Sequence, residues 1–181
     1  PPPGATTHWT GRMLAKADIP ALPATVKALH FGSISLIPEP SGGTYEALAR
    51  KAARSRVISL DPNIRPGQIK NRKAHLARLA RLMALADIVK ASDEDVKWMT
   101  GGQDFARTAR GWLRKGAKLV AITRGGDGVH VFTRQTALAL PAPQVKVADT
   151  VGAGDTFTAG LLCHLQRSGL LTKAAIAALD E

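Results

Sequence analysis

The run AKLVAITR, residues 117–124, is apolar at nearly every position between its charged ends. A strand with one wet face alternates in polarity. A strand without that alternation must be covered on both faces, which is the condition inside a parallel sheet flanked by helices. Shorter runs repeat the theme: RVISLD (56–61), DIVKAS (87–92) and VKALHFGSISL (26–36), the last read as a short buried strand with a Gly-Ser turn behind it. Helical patterns separate them. Residues 41–55 put Tyr45, Leu48, Ala49 and Ala52 on one face. Residues 71–86 repeat Leu76, Leu79, Met83 and Ala86 at helical spacing and leave Arg72, Lys73, Arg78 and Arg81 for solvent. Ser92 is placed to cap a third helix, DEDVKWMTG, which Gly101 and Gly102 end. A fourth covers residues 104–115. GDGVHVFTR and TALALPAP alternate around a turn near Gln135, as a hairpin does, and a last helix follows over residues 152–169.

Strand and helix in alternation predict an α/β fold with a largely parallel sheet. The 181 residues form a single domain, with no internal repeat or linker. Ligands of such sheets bind beyond the carboxyl ends of the strands. The turn-like motifs sit there: GS after the first strand, DPNIR after the second, KASDED after the third and TRGGDG after the fourth.

Composition removes several function classes. No apolar run reaches the roughly 18 residues a membrane helix needs. The lone Cys163 has no disulfide partner, which fits a reducing cytoplasm, and the scattered histidines lack metal-ligand spacing. Net charge is +11, concentrated where residues 50–81 carry ten Lys or Arg against one acid, Asp61. That block reads either as a solvated helical surface or as an attractor of anions or nucleic acid. Only 4% of the residues are aromatic, so little is available for base stacking, and no nucleic-acid partner is expected. The opening PPPGATTHWTG lacks both an initiator Met and the plan of a signal peptide, and is read as the start of a fragment.

The most chemical stretch is DTVGAGDTFTAGLL, residues 149–162. A helix's first turn exposes unpaired N–H groups and partial positive charge. Gly152 and Gly154 let a bulky anion approach that backbone with no Cβ in the way. No Gly-Lys-Ser/Thr follows, so this is not the common P-loop, and Phe157 replaces the third glycine of a dinucleotide fingerprint. Asp155 alone reads as a dipole partner. Beside an anion cradle it also reads as a proton acceptor for a hydroxyl lying between carboxylate and phosphate, which is phosphoryl transfer to an alcohol.

DTVGAGD resembles the C-terminal signature of the ribokinase-like (phosphofructokinase B type) carbohydrate kinases. LHFGSISL and DPNIR resemble the fructokinases and sugar-acid kinases of that family. ADIVKASDED resembles its Asn-x-x-Glu segment, and ITRGGDG its Thr-x-Gly-x-x-Gly nucleotide loop. The resemblance covers about residues 18–169 and implies a Rossmann-like, three-layer ribokinase-type fold. It implies Asp155 as catalytic base and the Gly152, Ala153 and Gly154 amides as anion hole. Thr123, Gly125, Gly128, Lys90 and Ser92 would lie along ATP. Asn63 and Arg65 would meet the substrate or the transferred phosphate, a task for which a guanidinium is suited. Asp149 and the Val151 carbonyl would hold a monovalent cation, K⁺. Ser92 and Asp95 stand where the family has Asn and Glu, so Asp95 would act on Mg²⁺ through water.

The implied activity is ATP-dependent phosphorylation of a small sugar, fructokinase first, with 2-keto-3-deoxygluconate kinase as the alternative. A non-catalytic basic nucleotide- or nucleic-acid-binding module is the rival of another class. The family's N-terminal portion and β lid have no counterpart in the chain, so the isolated chain is expected to be inactive. A homodimer belongs to the complete protein.

Overall fold

The computed structural model describes residues 14–19 and 21–179, so the opening run over 1–13 lies outside the described residues. Six strands lie side by side in chain order: β1 (Ala28–Gly32), β2 (Val57–Asp61), β3 (Ile88–Ser92), β4 (Leu119–Thr123), β5 (Val129–Phe132) and β6 (Ala137–Leu140). β1 to β4 are parallel; β5 and β6 return antiparallel, as the predicted hairpin requires. Helices α1 (Ser41–Ala52), α2 (Arg72–Met83), α3 (Asp93–Thr100) and α4 (Phe105–Arg114) fill the three crossovers. Right-handed crossovers between adjacent parallel strands put their helices on one face of the sheet. The larger core lies there, with Leu48, Leu79, Leu82, Trp112 and Leu113 against Leu60, Val89 and Val120.

The other face is covered by α5 (Ala153–Arg167) and α6 (Lys173–Ala177), whose Leu165 and Ile176 join Val57, Ile88 and Leu119. The chain thus has three layers and a mostly parallel sheet, as expected. β4 is buried along almost its whole length, which explains its unbroken apolar run.

Two readings of the surface change. α6, not foreseen from the sequence, is a five-residue helix capped by Thr172, whose side chain accepts from the Ala175 amide at 3.2 Å. Its Lys173 clamps buried Asp87 through both carboxylate oxygens at 2.8 and 2.7 Å. Arg78, expected in solvent, keeps only 14% of its side chain exposed. It reaches from α2 to the turn after β1, donating to the Leu36 carbonyl at 2.8 Å and pairing with Glu39. Arg81 and Arg50 converge on Glu46 at 2.7 and 3.1 Å. Arg81's hydrogen bond holds the Glu46 carboxyl below its ordinary range. Part of the basic block is therefore neutralised within the fold rather than offered to a polyanion.

Candidate active site

Alternation along β2 and β3 points Val57, Ser59 and Asp61, with Ile88 and Lys90, toward α5 and α6. At the amino ends of the strands this face is apolar and packed. At the carboxyl ends, under the first turn of α5, it becomes polar. Lys90 Nζ donates to Asp61 Oδ2 at 2.9 Å, and both side chains are almost wholly buried. Burial pushes the Asp61 carboxyl above its ordinary range, and the Lys90 ammonium opposes that push by charge and by hydrogen bond. Asp61 Oδ1 also accepts the Asn63 amide at 3.2 Å. Asn63 takes a left-handed φ of 40° and presents Oδ1 to Arg65 Nη1 at 2.6 Å. A non-glycine residue keeps such a conformation only where its surroundings hold it.

Gly152 is the N-cap of α5, and its φ of 77° turns the chain into the helix. The Ala153 amide donates to the Thr150 carbonyl at 3.1 Å. Ala153 is therefore corrected as an anion donor, since its N–H is spent on the turn. Among the described residues no acceptor meets the amides of Gly152, Gly154 and Asp155. These are the donors left for an anion, and the amide of Asp155 was not anticipated from the sequence.

Two cavities meet here. The smaller, about 310 Å³, is lined by His30, Gly32, Ser33, Ser35, Tyr45 and Asp61, among others. The larger, about 880 Å³, runs over Arg65, Lys90, Ser92, Thr123, Gly125, Gly152 and Gly154. Asn63 and Asp155 line both. His30 hydrogen-bonds Ser59 Oγ through Nδ1 at 3.0 Å. His30 is an exposed residue of the edge strand β1, yet desolvation of its imidazole lowers the pKa below its ordinary value, with Asp61 and Asp155 pulling it back up. His30, Ser33 and Ser35 were not named as site residues from the sequence, their only signal being the LHFGSISL segment at a strand's carboxyl end, and Tyr45 was read only as part of the apolar face of α1.

Most of the expected residues do converge, and three need comment. Gly128, expected along ATP, does not line the larger cavity. It is buried at φ 95° against the backbone of Leu140, Pro141 and Ala142, where a Cβ has no room, so its requirement for glycine comes from packing. Asp95 lines the larger cavity, but its Oδ2 accepts the Ser92 amide at 2.9 Å and its Oδ1 the Ile64 amide at 2.7 Å. It closes the capping box with Ser92 and ties α3 to the loop after β2. Asp149 Oδ1 accepts the Val151 amide at 2.9 Å, placing that carboxylate and the exposed Val151 in one tight turn. Among the described residues no three His, Cys, Asp or Glu side chains form a metal-binding group. Asp93 and Glu94 nevertheless bring an acidic edge to the larger cavity, which suits a cation that keeps most of its waters.

The chain is similar to known proteins along nearly all of its length. The model of the pfkB family carbohydrate kinases matches residues 3–179. A fructokinase of Rhizobium leguminosarum bv. trifolii is 54% identical over 171 residues, 94% of this chain and 52% of its own length. The fructokinase of Vibrio cholerae O395, solved with fructose, ADP and a calcium ion, superposes with a TM-score of 0.79 at 30% identity, over 92% of this chain and 54% of its own. The aminoimidazole riboside kinase of Salmonella enterica, solved with its riboside and an ATP analogue, gives 0.78 at 28% identity, over 91% and 55%. The chain spans about half the length of these relatives.

Proposed function

The chain belongs to the pfkB family of carbohydrate kinases, and we infer that within the family it carries the phosphoryl-transfer machinery of a fructokinase. The observation that supports this most directly is that Asp155 lines both cavities. A general base must reach the acceptor hydroxyl, and the acceptor must reach the phosphoryl group. A residue on the partition between a sugar-sized pocket and a longer cleft meets both conditions.

The sugar occupies the smaller cavity and ATP the larger. As the sugar oxygen bonds to the γ-phosphorus, the bond from phosphorus to the β–γ bridging oxygen breaks and ADP leaves. The hydroxyl proton passes to Asp155. The amides of Gly152, Gly154 and Asp155 hold the charge of the transferring group, as donors preorganised at a helix N-terminus do. Arg65 and Lys90 add positive charge along the cleft. Mg²⁺ would neutralise phosphate charge when bound, and Asp93 and Glu94 at the edge of the larger cavity are the carboxylates that would hold it through water. Asp149 and the Val151 carbonyl, in the turn before α5, are the groups that would hold K⁺ and so steady the approach to that helix.

A neutral sugar fits better than a sugar acid. The exposed carboxylate of Asp155 lines the smaller cavity, the Asp61 carboxylate beside it being matched by Lys90, while Arg65 faces the larger one. This ranks fructose above 2-keto-3-deoxygluconate.

The test assays the full-length protein with ATP, Mg²⁺ and K⁺ against fructose, 2-keto-3-deoxygluconate and ribose. Fructose phosphorylation with the highest kcat/KM is expected. Absence of ATP binding together with nucleic-acid affinity that falls steeply with salt would establish the binding module instead.

A further inference from the structure

The larger cavity contains a charge arrangement that packing alone does not call for. Lys90 Nζ lies 2.8 Å from the point a Cβ on Gly154 would occupy. An ammonium thus stands against the first turn of α5, which already carries partial positive charge. Two positive features face the same point: Asp61 neutralises the ammonium from the sheet side, and an anion entering from the cleft would bridge it to the helix amides. Lys90 has three donors, and among the described residues one is spent, on Asp61. Asp61 in turn uses one oxygen for Lys90 and the other for the amide of Asn63, the strained residue that lines both cavities.

We propose that Asp61 is the positioning residue of the phosphoryl-transfer site: its carboxylate fixes Lys90 beneath the α5 amides and Asn63 at the opening between the two cavities, aligning phosphoryl group and acceptor together. The proposal rests on the kinase reading above. In it, Lys90 turns its remaining donors to the transferring phosphoryl group, and Asp61 keeps that ammonium from swinging away when the cleft is empty. Asp61 also explains how Asn63 holds its left-handed backbone, since the amide it anchors is fixed from the end of β2. Gly154 is then glycine partly to leave room for the ammonium as well as for the anion.

A buried pair raises a plain alternative, that it only holds β2 to β3. Removing one partner of such a pair leaves an uncompensated buried charge, whereas removing both is often neutral for stability. Asp61→Asn, Lys90→Met and the double variant separate the two cases. Each single variant is expected to lose stability and turnover. The double variant should regain most of its thermal stability, yet keep kcat at least tenfold below wild type with the fructose KM within about threefold, because an interaction made mainly in the transition state has gone. Titration calorimetry gives a readout independent of the sugar: in the double variant ATP affinity should fall about tenfold, or ~1.4 kcal/mol, and ADP affinity should hold. A double variant with wild-type turnover, or with ATP and ADP weakened equally, would overturn the proposal. Wild-type protein that binds no ATP would overturn the kinase reading first, and the proposal with it.

Discussion

The Ile64 amide donates to Asp95 Oδ1 at 2.7 Å, so the first turn of α3 is bonded directly to the loop that carries Asn63 and Arg65. A residue that resemblance assigns to Mg²⁺ is, in the fold, an anchor with both oxygens already engaged by backbone. Asp95→Ala therefore removes a helix cap and a charged hydrogen bond to a buried amide. We expect a loss of about 2–4 kcal/mol in urea unfolding at neutral pH. Asp95→Asn, which keeps one oxygen acceptor, should lose less. Full stability in Asp95→Ala, with a changed Mg²⁺ requirement alone, would return the residue to the metal.

Gly154→Val tests the crowding around the α5 amides. The new side chain meets Lys90 Nζ first, and that ammonium is pinned by Asp61 rather than free to move aside. A β-branched residue in the first turn also narrows the approach of an anion. ATP affinity and turnover should both drop by an order of magnitude or more, about 1.4 kcal/mol each, on protein shown to be folded by circular dichroism. Unchanged ATP affinity would mean that the glycine serves packing only.

What the sequence revealed about the site was local, and what it hid was not. Gly152, Gly154 and Asp155 are readable because the turn, the free amides and the acid lie within one helical turn of each other. The apolar strands are readable because burial on both faces leaves no alternation. The Asp61–Lys90 pair spans 29 residues and depends on β2 and β3 lying in register. No spacing rule announces it. The same limit applies to Arg78, whose exposure looks certain from helical periodicity and is reversed by a carbonyl 42 residues away. Ala153 shows a smaller gap, since an amide can belong to a cradle by position and still be consumed by a turn. α6 was missed because five residues are too few for periodicity to register.

Stability should also depend on pH through His75. The residue is 6% exposed, its ring is edge-on to Trp98 with centroids 6.3 Å apart, and its Nδ1 meets no partner among the described residues. Burial, helped by the Arg78 charge, lowers its pKa from the ordinary 6.5. The unfolded chain therefore takes up this proton first as pH falls. The stabilisation is complete above the unfolded value and is lost as pH drops from about 6.5 toward the folded one, with a limiting slope near 1.4 kcal/mol per pH unit. Urea unfolding of wild type and His75→Phe at pH 7.5, 6.0 and 5.0 measures it. The variant should show the shallower decline; parallel curves would mean that His75 is neutral to the balance.

The decisive single substitution is Asp155→Asn. It keeps the side chain's size and one acceptor while removing the ability to take up a proton. Asp155 is exposed at the mouth of both cavities and is bonded to no described side chain, so the change should leave stability nearly as it was. ATP is held by the amides of α5 and the groups along the larger cavity, so its affinity should also stay within about threefold, under 0.7 kcal/mol. Turnover should fall roughly 10²–10⁴-fold, the usual contribution of a positioned base. Because the loss lies in the transition state, kcat and kcat/KM should fall together. A variant that turns over fructose near the wild-type rate would remove Asp155 from the chemistry and leave it as a partner of the helix dipole. A variant that instead loses ATP binding would place Asp155 on the nucleotide, and the proton would then have to leave by another group.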